Sequence, residues 1–174
     1  MTTWTIDSAH SEVGFKVKHL VISNVSGKFK SFEGTVLSKE DDFSDAQISF
    51  SLDIDSIDTG VDQRDVHLKS ADFFDAEAHP KMSFKSTSIE KDGGELKITG
   101  DFTIKNTTNS VTLKVELGGV QKDMYGRTIA GFELNGKINR KAFGLTWSAV
   151  TEAGGVVVGD DVKLLANIEL VKAA

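Results

Sequence analysis

The stretch DTGVDQRDVHLKSADFFDAEAHPKMSF, Asp58 to Phe84, is where this chain stops behaving as a plain β protein. On both sides of it apolar and polar residues alternate with period two, as half-buried strands do. Inside it the alternation fails: charges crowd together, Phe73 and Phe74 stand side by side, and the single proline, Pro80, appears. Val61 to Lys69 has helical spacing, with Val61, Arg64, Asp65 and Leu68 on related faces. Ser70 reads as the N-cap of a second short helix, with Asp72 in its first turn and Phe73 and Phe74 turned inward. His79-Pro80 then forces an extended residue and returns the chain to strand. One or two short helices between Val61 and Asp75 are thus expected to close an end of whatever the strands build.

N-terminal to this stretch, Trp4 to Ile6 signals a first strand, followed by a polar turn at Asp7 to His10. Val13, Phe15, Val17 and His19 share one face, opposite Glu12, Lys16 and Lys18. Asn24 to Gly27 reads as a turn. Lys28 to Leu37 is strand again, with Phe29 and Phe32 out of step by one residue, which calls for a bulge or bend between them. Glu40-Asp41-Asp42 is a solvated loop, after which Ile48, Phe50, Leu52 and Ile54 alternate with Ser49, Ser51, Asp53 and Asp55. C-terminal to the central stretch, Met82 and Phe84 open a strand that ends at a hairpin turn in Lys91-Asp92-Gly93-Gly94. Leu96, Ile98, Phe102 and Ile104 form the next, Asn106 to Asn109 turns the chain, and Val111, Leu113, Val115 and Leu117 follow. Phe132, Leu134 and Ile138, then Val162, Leu164, Ala166, Ile168 and Leu170, complete the series.

About eight strands, each with one apolar and one wet face, define a single all-β antiparallel domain over residues 1–174. Long helical crossovers are missing, which excludes a parallel βαβ architecture. Both a barrel and a sandwich fit this pattern. Gly100 and Gly136 fall on the apolar faces of their strands, and inward glycines either let a strand coil sharply or leave volume beside a ligand. Either use favours the barrel.

The net charge of −6 argues against nucleic acid, which requires a basic surface. There is no cysteine, so disulfides and thiolate metal sites are excluded. The first residues have neither a basic nor an apolar signal region, and no run of about 18 apolar residues exists to span a bilayer. As written the protein is expected in the cytoplasm, or in the periplasm if a leader has been removed. His10, His19, His67 and His79 show no close metal-ligand spacing, and no GxSxG elbow occurs, so neither a metal nor a catalytic residue is expected. Asp41-Asp42 and Asp160-Asp161 read as solvated carboxylates in turns. Gly154-Gly155 and Gly159 flank Val156 to Val158 without a phosphate-loop pattern.

Six segments carry a resemblance that runs through the chain in order: WTIDSAHSEVGFKVKHL from Trp4, VSGKF from Val25, TGVDQRDVHLKSADFFD from Thr59, HPKMSFKST from His79, GDFTIKNTTNSVTL from Gly100 and INRKAFGLTW from Ile138. Together they resemble the YceI-like family of polyisoprenoid-binding proteins. Two departures stand out: Asn106-Thr107, where the family more often has a glycine and a hydrophobic residue, and the absent leader. The resemblance implies an eight-stranded lipocalin-like antiparallel barrel holding a long isoprenoid or other amphiphilic lipid, such as a polyprenyl phosphate or isoprenoid quinone. It also implies a homodimer, and a carrier or store that needs no cofactor and performs no catalysis.

The residues allow such a cavity on physical grounds. Strands of about ten residues rise about 33 Å, and an eight-stranded barrel is the size at which side chains fill the inside or leave room for one ligand. With 11 Phe and 1 Tyr, the aromatic surface brings almost no hydroxyls needing partners. The expected apolar lining is Phe15, Val17, Ile48, Phe50, Leu52, Phe73, Phe74, Met82, Phe84, Ile98, Phe102, Leu113, Val115, Phe132, Leu134, Phe143 and Trp147. A filled core is the plainer alternative for all of them. Arg64 and His67 at the mouth, with His19 nearby, are candidates to hold a polar head group. Against this, Arg64 and Asp65 could simply pair and brace a lid, and His19 could be a core histidine. An enzyme acting on a small amphiphile and a dimeric interaction module with a filled barrel remain the competing functions.

Overall fold

Strands with one greasy face and short connections can bury that face most simply by curling into a closed sheet. The computed structural model describes residues 1–20, 22–148 and 158–174. Its strand segments are β1 (Thr2–Ile6), β2 (Glu12–His19), β3 (Ser23–Phe29), β4 (Phe32–Ser38), β5 (Gln47–Asp53) and β6 (Ile57–Asp58). After helix α1 (Asp62–Lys69) come β7 (Lys81–Asp92), β8 (Glu95–Ile104), β9 (Thr107–Lys122), β10 (Thr128–Asn139) and β11 (Val158–Lys172). All pairings are antiparallel. The segments β1/β2, β3/β4 and β5/β6 are each one long strand interrupted by a bend, which leaves eight strands running up and down. Because β11 pairs with β10 on one edge and with β1 and β2 on the other, the barrel closes.

The three bends lie side by side and are tied across the strands. Asp7 N–H donates to Glu169 O at 2.9 Å, Asp53 N–H to Ser31 O at 2.9 Å, and Lys30 N–H to Ser56 O at 3.2 Å. The change of phase between Phe29 and Phe32 is therefore a bend at Lys30-Ser31. Asn24 to Gly27, expected as a turn, instead lies within β3 and pairs with β2; Leu20, with φ +54°, begins the reversal. Gly27 sits there because it faces Phe15 across the ladder, and the phenyl ring occupies the space a Cβ would need. The next expected turn shrinks as well: Lys105-Asn106 makes a two-residue hairpin with Lys105 at φ +56°, and Thr107 already pairs with Ile104. Asp160 and Asp161, expected in a turn, belong to β11. The Gly154-Gly155 and Val156-Val157 positions lie outside the described residues.

The inward glycines are expected to let a strand coil or to leave volume beside a ligand; what the structure shows at both is close packing. A Cβ on Gly100 would come within 2.5 Å of the Phe84 ring and of Lys85 O, and one on Gly136 within 2.5 Å of Leu113 Cδ2. Both strands thus approach neighbours that have taken the glycine's volume.

The loop between β4 and β5 closes the lower end of the barrel. Phe43, in a left-handed conformation (φ +62°), is buried between Trp4 at 5.1 Å and Phe132 at 4.9 Å. Asp45 organises this loop by accepting from Ser38 Oγ, Lys39 N–H and Glu40 N–H, and these bonds, the Lys39 one foremost, hold its carboxyl below the usual range. The upper end carries the connections β2–β3, β6–β7, β8–β9 and β10–β11. There α1 forms over the residues the spacing predicts, but no second helix follows it. The Ser70 hydroxyl donates to His67 O at 2.5 Å and so ends α1, and overlapping turns through Asp75 (φ +49°) carry the chain on.

Candidate functional site

The inward faces of the eight strands are not equally packed. On β7, β8 and β9, Met82, Phe84, Leu96, Ile98, Phe102, Leu113 and Val115 are buried. Across the barrel, Phe15 and Val17 of β2, Phe50 of β5, Leu134 of β10, and Val162, Leu164 and Ala166 of β11 also point inward but stay half-exposed. They are exposed to a hollow. This cavity measures about 240 Å³, and among its described lining residues the polar ones are Thr35, Ser49, Ser83 and Arg140.

Fifteen of the residues expected from the sequence line it: Phe15, Val17, Ile48, Phe50, Leu52, Phe73, Phe74, Met82, Phe84, Ile98, Phe102, Leu113, Val115, Phe132 and Leu134. Phe143 and Trp147 do not. Phe143 is fully buried against Phe102, ring centroids 5.6 Å apart, and serves as packing behind the wall. Trp147 instead meets Phe73 at 5.2 Å and His67 at 4.8 Å, joining the lid to the β10–β11 connection. Ile6, Val36, Phe43, Val162, Leu164 and Ala166 line the cavity without having been singled out. The β11 members were visible as an alternating face; Phe43 was not, because it sits in a loop with no period to read.

None of the three candidate head-group residues lines the cavity. Arg64 donates from Nε to Thr59 Oγ1 at 2.8 Å and from Nη2 to Thr59 O at 2.7 Å. Asp65 accepts from Thr59 N–H at 2.9 Å and from its hydroxyl at 2.6 Å. The two side chains therefore brace the entry to α1 through Thr59 and do not pair with each other. His67 contacts Asp72 Oδ2 through Nε2 at 2.9 Å and packs edge-on to Phe73 at 5.1 Å. His19 ends β2, paired with Ser23 and Val158.

The charged residue that does line the cavity is Arg140, only 3% exposed. It follows Phe132, Leu134, Gly136 and Ile138 in phase, so the period of β10 points it inward; that signal was present in the sequence. Its guanidinium is spread over backbone carbonyls: Nε donates to Gly159 O at 2.8 Å, Nη1 to Leu145 O at 2.6 Å and Trp147 O at 2.8 Å, and Nη2 to Val158 O at 3.3 Å. The Asp160 carboxylate lies 3.8 Å from Nη2, beyond hydrogen-bond reach. Burial pushes the Arg140 pKa down and Asp160 opposes it; an arginine in this position still stays charged. Neither carboxylate pair stands free: Lys91 contacts Asp42, Lys141 contacts Asp160 at 3.2 Å, and Lys137 contacts Asp161 at 3.3 Å. Among the described residues, Asp7, His10 and Glu169 form the one grouping able to offer ligands to a metal. His10 Nδ1 already bonds Asp7 at 2.8 Å, and Arg127 approaches the same carboxylate at 4.0 Å.

Fold and site together define a closed antiparallel barrel with an apolar interior and a helical lid. The YceI-like domain matches residues 4–170, and the chain belongs to that family. It is 41% identical over 170 residues to a UPF0312 protein of Staphylococcus aureus, covering 97% of each chain. The crystal structure of the Campylobacter jejuni YCEI protein superposes with a TM-score of 0.76 at 36% identity, covering 97% of this chain and 96% of that one. A polyisoprenoid binding domain from Saccharophagus degradans, implicated in plant cell wall breakdown, shares the fold at a TM-score of 0.66 and 12% identity, over 98% of each chain. Among the described residues, no helix is long and apolar enough to cross a membrane.

Proposed function

We propose that this protein carries or stores an amphiphile, with the apolar chain of an isoprenoid or similar lipid lying in the barrel, and that it does no chemistry on it. The observation that carries the reading is the hollow itself, about 240 Å³ bounded by aliphatic and aromatic side chains. An empty volume of this size is expensive: at about 24 cal/mol per Å³ it costs the fold about 6 kcal/mol, comparable with a whole domain's stability of about 5–15 kcal/mol. Cargo removes that cost. At about 30 Å³ each, the hollow holds about eight methylene-sized groups. Their transfer is worth about 6 kcal/mol gross, at about 0.8 kcal/mol apiece. Micromolar binding needs about 8 kcal/mol net, so a longer chain must gain further area. Side chains such as Phe15, Phe50 and Phe74, half-buried along the hollow, are the ones able to yield it. Among its described residues the lining offers no acid–base pair to a bound molecule, which supports the carrier over the enzyme.

Native mass spectrometry before and after organic extraction tests this. A co-purifying lipid that extraction removes, with a melting temperature that falls on extraction and recovers on adding an isoprenoid, is the expected result. Protein that carries no lipid and takes up no apolar probe would refute it.

A further inference from the structure

The outer face of the barrel sorts its charges in a way that costs stability. Across the β8–β9 and β9–β10 ladders Glu95 lies directly opposite Glu116, and Glu116 opposite Glu133. Nearer the upper end, Lys97 lies opposite Lys114, Lys137 opposite Lys163, and Lys163 opposite Lys16. Like charges in directly opposed positions repel, and an acidic residue in place of Lys163 would turn two of these contacts attractive. Instead an acidic row lies below and a basic wall above it, on a chain whose net charge is −6. Lys16, Lys18, Lys28, Lys114, Lys137 and Lys163 are all exposed. Among the described residues Lys137 alone of these has an ion-pair partner, Asp161. A wall that keeps such repulsion recovers it against an anionic surface that all its lysines can face at once.

The apolar residues of the same strands say which surface. Phe15, Phe29, Phe102 and Phe132, the phenylalanines of β2, β3, β8 and β10, all line the hollow. None is left outside to stack on a base, as a sheet that binds single-stranded nucleic acid requires. What the wall does expose is aliphatic: Leu165, opposite Asn135 and Gly14 amid the lysines, and Leu20 and Ile22 where β2 gives way to β3. Aliphatic groups beside lysines suit a bilayer, whose head groups take the charge and whose acyl boundary takes the side chain. We infer that the outer wall of β9, β10, β11, β2 and β3 docks on an anionic lipid bilayer. The choice of a bilayer rests on the carrier reading, since a protein that carries a lipid must meet a membrane to load or release it. The acidic row, repelled by the same surface, tips the upper end of the barrel toward it.

Flotation of the protein with vesicles of phosphatidylcholine alone, and of phosphatidylcholine with one-third phosphatidylglycerol, tests this. Binding is expected to the anionic vesicles at low salt, not to the neutral ones, and should be lost at about 0.5 M NaCl, where screening is short-ranged. Lys16→Gln and Lys163→Gln should each weaken it about fivefold, the step of one charge near an anionic bilayer. Because each removes a like-charge contact, their melting temperatures should hold or rise, which separates lost docking from lost fold. Lys85→Gln, exposed on β7 across the barrel, should leave binding unchanged. Binding to neither vesicle, or equally to both, would overturn the docking, as would anionic binding that survives both wall substitutions. Equally tight binding of a single-stranded oligonucleotide would assign the wall to polyanions at large and overturn the lipid partner. Uptake of the neutral fluorophore N-phenyl-1-naphthylamine by the same protein keeps the two readings apart. Uptake without vesicle binding overturns the docking and leaves the carrier intact, and loss of both overturns both.

Discussion

Ala166 offers the sharpest test of whether the barrel is hollow. It lies on β11 between Leu134 and Val13, points inward, and is half-exposed to the cavity it helps to line. Ala166→Leu adds three carbon groups on that face. If they enter empty space, each withdraws about 0.8 kcal/mol worth of surface from water, about 2.4 kcal/mol gross. Freezing the leucine rotamer takes back about 0.5–1 kcal/mol. The net, about 1.5–2 kcal/mol, should raise the melting temperature of lipid-free protein by about 3–8 °C for a chain of this size. The same change removes room from the cargo, so binding of N-phenyl-1-naphthylamine should weaken several-fold. Differential scanning calorimetry of extracted protein and a fluorescence titration measure the two effects. A leucine that destabilises the protein by about 1–3 kcal/mol is the signature of overpacking; that result would show a filled interior at β11 and refute the reasoning.

The opposite perturbation is Leu52→Glu. Leu52 is 3% exposed and lines the cavity, so its loss of burial and the unpartnered carboxyl together should cost at least about 3 kcal/mol by urea unfolding. Burial raises that carboxyl's folded pKa above its unfolded value of about 4.3, so the variant's stability should fall further as pH rises from there; a pH-independent loss would contradict this. Gly100→Ala should destabilise by about 1–3 kcal/mol, because the new Cβ would meet Lys85 O as well as the Phe84 ring, and backbone yields less readily than a side chain; neutrality would mean the strands are not this close. The His10 imidazole, held protonated chiefly by its bond to Asp7, should titrate above the ordinary histidine value of about 6.5 by NMR, while Asp7 titrates below its usual range. The pair then stabilises the fold between those limits, losing its effect as pH rises through the His10 pKa or falls through that of Asp7. In Asp7→Asn the His10 midpoint should drop; an unchanged midpoint would show that the hydrogen bond does not persist in solution.

Much of the barrel was legible because period-two alternation is a local property. Strands such as Ile48 to Leu52 and Val111 to Leu117 commit their side chains to a face before any partner is known, and the break at Asp58 to Phe84 marks the segment that cannot join them. The turns were less legible. Asn24 to Gly27 has turn composition, yet Gly27 is used to admit the Phe15 ring, a demand set by the strand opposite. Ser70 has the chemistry of an N-cap and its oxygen accepts from Asp72 N–H at 3.4 Å, but its hydroxyl also closes α1 and the chain continues in turns. Arg64 and His67 looked like a head-group pair by composition alone; Thr59 and Asp72 claim them in three dimensions.

The sequence by itself determined that this chain is an antiparallel β protein, which faces of its strands are apolar, and to which family it is similar. The β character and the apolar faces depend on side-chain polarity read at a fixed spacing, the family on motif segments matched in order. Only the tertiary structure decided that the inward faces of β2, β10 and β11 leave a hollow while those of β7, β8 and β9 pack tight, and that Arg140, rather than Arg64, borders it. A void is the volume left over when eight strands, three bends and a plug have all been placed, and no one segment carries that remainder.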